Sequence, residues 1–176
     1  VLPDSFSVDQ LAQEINNLRR YPRHRASDYD RVLSRLLSLA QANYEVTYSS
    51  EHPLSERVLF PTAPAEAHGM EDARFVRFVD DDGQVSFIAT YTAYSGRDVI
   101  PQLIRTSDFL TFRVSTLDGP EVQNKGMALF PRKIRGQFAM ISRQDAENLY
   151  LMYSENLNFW YARRPLLKPS YPWEFV

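Results

Sequence analysis

Arg74-Phe75-Val76-Arg77-Phe78-Val79-Asp80-Asp81-Asp82-Gly83-Gln84-Val85-Ser86-Phe87-Ile88-Ala89-Thr90-Tyr91-Thr92-Ala93-Tyr94 is the stretch that decides the fold. Two runs rich in β-branched and aromatic residues flank an acidic turn signal ending in glycine, as antiparallel strands do. The same texture extends outward on both sides. Upstream lie Tyr44–Tyr48 and Arg57–Phe60. Downstream lie Gln102–Thr106, Thr111–Ser115, Met127–Phe130, Phe138–Ser142, Leu149–Tyr153 and Phe159–Ala162. Ser95-Gly96, Asp118-Gly119-Pro120 and Arg135-Gly136 punctuate them. A spacing of about 8–12 residues predicts an antiparallel sandwich, barrel or propeller. These strands amount to about two and a half four-stranded blades, whereas a closed propeller needs about four to eight.

The first 43 residues read differently. Ser7-Val8-Asp9-Gln10 has capping-box form, a hydroxyl followed three residues later by Gln. Leu11, Ile15 and Leu18 then make one apolar stripe. Tyr21-Pro22-Arg23-His24-Arg25 interrupts it, because proline removes a donor and disfavours helix before itself. Ser27 opens a second predicted helix with Val32, Leu33, Leu36, Leu37 and Ala40 as its buried face. The expected organisation is a helical hairpin over residues 1–43 and a propeller portion of two to three blades over residues 44–176.

Composition excludes several classes. The 176 residues carry 20 basic and 22 acidic side chains, a formal net charge of −2, with no cysteine. Disulfides and thiolate metal sites are therefore impossible, and a nucleic-acid binder would be more basic. At 44 % hydrophobic and 24 % charged residues the chain reads as globular. No apolar run approaches the roughly 20 residues of a membrane span. The sequence opens at Val1 without the pattern of a secretion signal, which reads as cytoplasmic. It closes on Pro172-Trp173-Glu174-Phe175-Val176. Both ends read as interior to a longer protein.

Chemistry-bearing residues gather in a few places. Gly69-Met70-Glu71-Asp72-Ala73-Arg74 sets two carboxylates before an arginine at a strand entrance. Strand alternation would send Glu71 and Asp72 to opposite faces, and an isolated pattern of this kind is ordinarily a salt bridge. Lys125 and Arg143 bracket two strands able to pair through the Arg132–Gly136 turn. Two converging cations suit an oxyanion, although pairing with Asp145 and Glu147 is the plainer reading. Tyr91 and Tyr94, with hydroxyls between them, suit stacking on a sugar or a half-buried strand. His24, His52 and His68 are scattered, so no metal site is expected, and neither a phosphate-binding glycine loop nor a nucleophile elbow occurs.

Taken together, these motifs resemble the family 130 glycoside hydrolases, the β-mannoside phosphorylases and β-mannosidases. The stretches are Gly69–Arg74, Ala89–Tyr94, Asn124–Pro131, Phe138–Arg143 and Tyr153–Trp160. The sequence departs from the usual pattern at Ala73, Gly126 and Ser142-Arg143-Gln144. The resemblance implies a mainly β fold, a partial five-bladed β-propeller of four-stranded antiparallel blades, here about half of one. It implies Asp72 as general acid, Glu71, Arg74, Tyr91 and Tyr94 as substrate contacts, and Lys125 and Arg143 as phosphate ligands. No cofactor is implied. The partners would be a β-mannoside oligosaccharide and inorganic phosphate, the latter attacking with inversion to give mannose 1-phosphate. Hydrolysis within the same family is the first alternative; a non-catalytic propeller binding glycan or protein, with Trp160 as a stacking platform, is the second. Uncovered sheet edges predict self-association, and half a funnel predicts little or no activity for the chain alone.

Overall fold

The structure is a computed structural model that describes residues 2–20 and 27–174. Ser7 opens helix α1 (Val8–Arg20) with the predicted reciprocal cap. The Gln10 amide donates to Ser7 Oγ at 3.2 Å, and the Ser7 amide donates to Gln10 Oε1 at 2.8 Å. Helix α2 follows (Ser27–Gln41). Of the stripes read from sequence, only Ile15 and Leu33 are buried. Leu18, Val32 and Leu36 are exposed, because the two helices pack mainly on each other rather than into a core. The Tyr21–Arg25 interruption lies outside the described residues.

The strand-rich remainder forms two antiparallel sheets. Strands β1 (Tyr44–Thr47), β2 (Met70–Val79), β3 (Val85–Tyr94), β4 (Val99–Thr106) and β5 (Thr111–Thr116) make the first, in the order β1-β5-β4-β3-β2. Strands β6 (Ala128–Leu129), β7 (Phe138–Ser142), β8 (Leu149–Ser154) and β9 (Ala162–Leu167) make the second, in chain order. Each is an up-and-down meander, with β1 added to the outer edge of the first. These are blades of a five-bladed propeller.

Two of the expected strands are not strands. Arg57–Phe60 joins neither sheet; Leu59 instead packs against the core on one face of the first sheet. Its backbone is held by side chains, with Tyr48 Oη donating to the Val58 carbonyl and Arg57 donating to the His52 and Phe109 carbonyls. Phe159–Trp160 lies in a turn, and the strand begins at Ala162. Pro165 sits within that strand, which is tolerated because β9 is a sheet edge.

The first sheet buries both of its faces. One meets the second sheet through Phe78, Ile88, Leu103, Leu129, Met140, Met152 and Trp160. This seam brings the turn after β5 against the Asn156–Trp160 turn. The Trp160 amide donates to the Asp118 carbonyl at 2.8 Å, and the Asp118 amide to the Asn158 carbonyl at 2.7 Å. Gly119, at φ +116°, lies so close that any Cβ would overlap the Trp160 backbone. Trp160 is thus a seam residue, fully buried, with its indole N–H donating to the Leu157 carbonyl. It offers no stacking face. The opposite face of the first sheet holds Ala89, Tyr91, Ala93, Ile104, Phe112 and Val114. No helix among the described residues is long and apolar enough to cross a membrane.

Candidate active site

The Glu71–Asp72 dipeptide does not obey strand alternation. The β2–β3 register shifts between Glu71 and Arg74, and Asp72 takes φ +56°. Such a bulge re-aims the side chains around it, and a non-glycine residue in the left-handed region is a strained conformation that clusters at functional sites. Both carboxylates consequently reach one region, against the expectation that they would part. Glu71 accepts from Lys125 Nζ at 3.2 Å. Asp72 lines a small cleft at the seam together with Thr90, Thr92, Lys125 and Gly126.

Arg74 holds Asp72 in a fork, with Nε at 3.2 Å from Oδ1 and Nη2 at 2.9 Å from Oδ2. The pair stays open to solvent, with side chains 41 % and 38 % exposed, so it is a surface contact worth at most about 1 kcal/mol. To serve as an acid the carboxyl must first take up a proton from solvent; the oxygen that carries it gives up its bond from Arg74, and an exposed guanidinium can turn away at small cost.

The cations arrive from the second blade. Thr90 Oγ1 on β3 donates to the Met127 carbonyl at 2.5 Å, pinning the segment that carries Lys125. Arg143 lies across Gly126, whose φ is +80° and where a Cβ would run into the guanidinium Nε. Among the described residues Arg143 has no carboxylate partner. Asp145, named in the plainer reading, is saturated by its own loop: it accepts from Tyr150 Oη at 2.6 Å and from Asn148 at 2.8 Å. Those bonds, that from Tyr150 first, hold its carboxyl well below the ordinary range. Flanking Arg143, Ser142 Oγ donates to Gln144 Oε1 at 2.9 Å and Gln144 Nε2 donates to the Glu121 carbonyl at 3.0 Å, both side chains buried.

Asp72, Glu71, Arg74 and Lys125 therefore come together, with Arg143 beside Gly126; Tyr91 also borders this cleft, but its ring turns away from it. Tyr91 is buried on the far face of the sheet, and its hydroxyl donates to Glu66, so it has no free ring face for a sugar. Tyr94 sits at the end of β3, its hydroxyl on the Gly96 carbonyl at 3.0 Å and its ring 6.2 Å from that of His68.

Sequence reading missed Glu66. It is 0 % exposed, and its carboxylate accepts from Tyr44 Oη at 2.9 Å, from Tyr91 Oη, and from the Thr62 and Ala63 amides at 2.8 and 3.0 Å. Burial, reinforced by the carboxylate, pushes both tyrosine hydroxyls well above their ordinary range. The one available signal was an acid within the otherwise uncharged run Thr62-Ala63-Pro64-Ala65-Glu66-Ala67.

Comparison with known proteins identifies the family. A model of glycoside hydrolase family 130, described as beta-1,4-mannooligosaccharide phosphorylase, matches residues 14–175. A 1,2-beta-oligomannan phosphorylase of Thermoanaerobacter sp. (strain X514) is 30 % identical over 121 residues, covering 66 % of this chain and 38 % of that protein. The beta-1,2-mannobiose phosphorylase from Listeria innocua, solved with beta-1,2-mannobiose, is similar with a TM-score of 0.52 at 26 % identity. That likeness covers 67 % of this chain and 32 % of that one. The chain thus spans little more than a third of the length of these relatives. With nearly its whole length matched by the family model, the chain belongs to glycoside hydrolase family 130.

Proposed function

We propose that this chain supplies the general-acid and phosphate-binding part of a site that cleaves β-mannosides by phosphorolysis. Asp72 sends its proton toward the glycosidic oxygen as the C–O bond breaks. A phosphate oxygen attacks the anomeric carbon from the opposite side, so the product is mannose 1-phosphate with inverted configuration. Lys125 and Arg143 hold the phosphate, a point charge and a planar fork serving one oxyanion. Because phosphate is itself the nucleophile, cations that place it do the work of the second carboxylate in an ordinary inverting glycosidase. Glu71 keeps Lys125 in position, and Arg74 orients Asp72 until substrate arrives. Tyr94 remains a candidate sugar contact at the strand end.

The observation that carries this reading is the shared cleft: a strained acid on one blade and Lys125 on the next, with Arg143 packed on the adjoining Gly126. Product analysis on the full-length protein tests it. Mannobiose incubated with that protein and phosphate should yield mannose 1-phosphate, and omitting phosphate should stop turnover. Free mannose released equally well without phosphate would select hydrolysis instead.

We also infer that the chain self-associates. Strand β2 is a sheet edge with Phe75 half exposed, the kind of edge that recruits another strand. Light scattering at high concentration should give a mass above that of one chain, and a monomer there would refute the inference.

A further inference from the structure

Lys125 lies in the irregular segment between Glu121 and β6, and Arg143 follows the end of β7. Neither cation stands on a strand, so ties from elsewhere must set where each one points. The segment around Lys125 takes positive φ at Asn124 (+60°) and at Gly126 (+80°). A non-glycine residue keeps such a conformation only where its surroundings over-determine it.

Gln144 supplies the ties. Its side chain is 6 % exposed, and both of its polar atoms are engaged. Oε1 accepts from Ser142 Oγ at 2.9 Å, and Nε2 donates to the Glu121 carbonyl at 3.0 Å and faces Met152 Sδ at 3.2 Å. The Glu121 carbonyl can only accept, so the amide must present its NH₂ there and leave Oε1 to the hydroxyl. The Asn124 side-chain amide donates in turn to the Gln144 main-chain carbonyl at 3.4 Å. Gln144 therefore grips the Lys125 segment at Glu121 and at Asn124, while Thr90 holds its far end at Met127. Its other neighbour is Arg143 itself. Ser142 and Gln144 are both buried on either side of the partly exposed Arg143, and the arginine side chain lies over Gly126. A buried polar network with its partners in place rigidifies and specifies one arrangement.

Given the phosphate role of these two cations, on which this rests, we propose that Gln144 is the positioning residue of the phosphate site. It holds Lys125 and Arg143 in a fixed relation so that both meet one oxyanion. Asp72 and Arg74 pair with each other and not with this network, so losing the amide should weaken phosphate and spare the sugar.

Steady-state kinetics of the full-length protein test this, with inorganic phosphate and mannobiose as the varied substrates. Gln144→Met keeps the side-chain volume and removes both of its hydrogen bonds. It should raise the phosphate KM about tenfold or more. The mannobiose KM, and kcat at saturating phosphate, should stay within about twofold of wild type. Ser142→Ala removes one bond and leaves the Glu121 tie, so it should raise the phosphate KM about threefold. A crystal structure of Gln144→Met should show the Arg143 guanidinium displaced from Gly126. Should that variant fail to fold, Ser142→Ala and its structure decide the matter. Both KM values rising together, a phosphate KM unchanged in both variants, or an Arg143 that does not move would overturn the proposal. A wild type that turns over equally well without phosphate would remove the phosphorolysis reading alone; the place of Arg143 in the variant structures would still decide whether Gln144 sets it.

Discussion

Glu66 and Asp72 are carboxylates on the same stretch of chain, held in opposite ways. Glu66 is sealed beneath the first sheet and surrounded by donors only. Asp72 stands on a bulge, half in solvent, with one arginine that can leave. The buried acid fixes Thr62–Glu66 onto β3 and so delivers the chain to Gly69 at a set angle; the Glu66 carbonyl even accepts the Gly69 amide at 2.8 Å. The exposed acid has slack and strain, which a proton donor needs. Full satisfaction marks a structural role, and an incomplete, strained arrangement marks a reactive one.

The contrast breaks most sharply under mutation. Asp72→Asn should lower phosphorolysis by about 10²–10⁴-fold with the thermal midpoint unchanged, measured by mannose 1-phosphate release; retained turnover would dismiss the acid. Glu66→Ala should do the reverse, costing about 3 kcal/mol or more through the stranded tyrosine hydroxyls and amides, read by urea unfolding. A destabilisation below 1 kcal/mol would mean the network is dispensable. Gly126→Ala should cost about 1 kcal/mol from its positive φ and raise the phosphate KM roughly tenfold as Arg143 is pushed aside, leaving the sugar KM unaltered.

Two pH effects are smaller. The folded Tyr44 and Tyr91 hydroxyls ionise above their unfolded value near pH 10. The native state therefore keeps protons that the unfolded chain loses, and stability should fall as pH rises past about 10. Tyr91→Phe should flatten that decline while lowering stability at neutral pH. At the acid end, Lys133 donates to Asp80 at 2.7 Å and lowers the Asp80 carboxyl. That contribution is present above the unfolded carboxyl value near pH 4 and disappears as pH falls through the lower folded one. Asp80→Asn should give a small loss of thermal midpoint at pH 7 and none in strong acid.

The sequence made the sheets legible because period-two patterning is local, and the Ser7–Gln10 cap because both partners lie within one turn. The proposed charged site residues stand out through motif resemblance rather than through alternation, which the bulge at Asp72 defeats. Arg57–Phe60 has strand composition, but Leu59 packing on the sheet core and Arg57 donating to the Phe109 carbonyl, both non-local contacts, hold it outside the sheet. Tyr91 reads as a sugar platform from its neighbours in sequence, yet its face is set by pairing with Gln102 across the sheet, and Glu66 awaits it there. Glu66 shows in sequence only as a lone acid in an uncharged run, which by itself does not separate a buried acid from a loop acid.

The blade seam has one further consequence. Asp72 belongs to the first sheet, and Lys125 and Arg143 lie on the side of the second, so the gap between the proposed proton donor and the proposed phosphate ligands is a spacing between two sheets. Trp160, Gly119 and the Thr90–Met127 hydrogen bond act as the shim that sets it. Residues that never meet substrate can thereby tune the reaction, and a slight change in blade tilt would alter catalysis before it altered the fold.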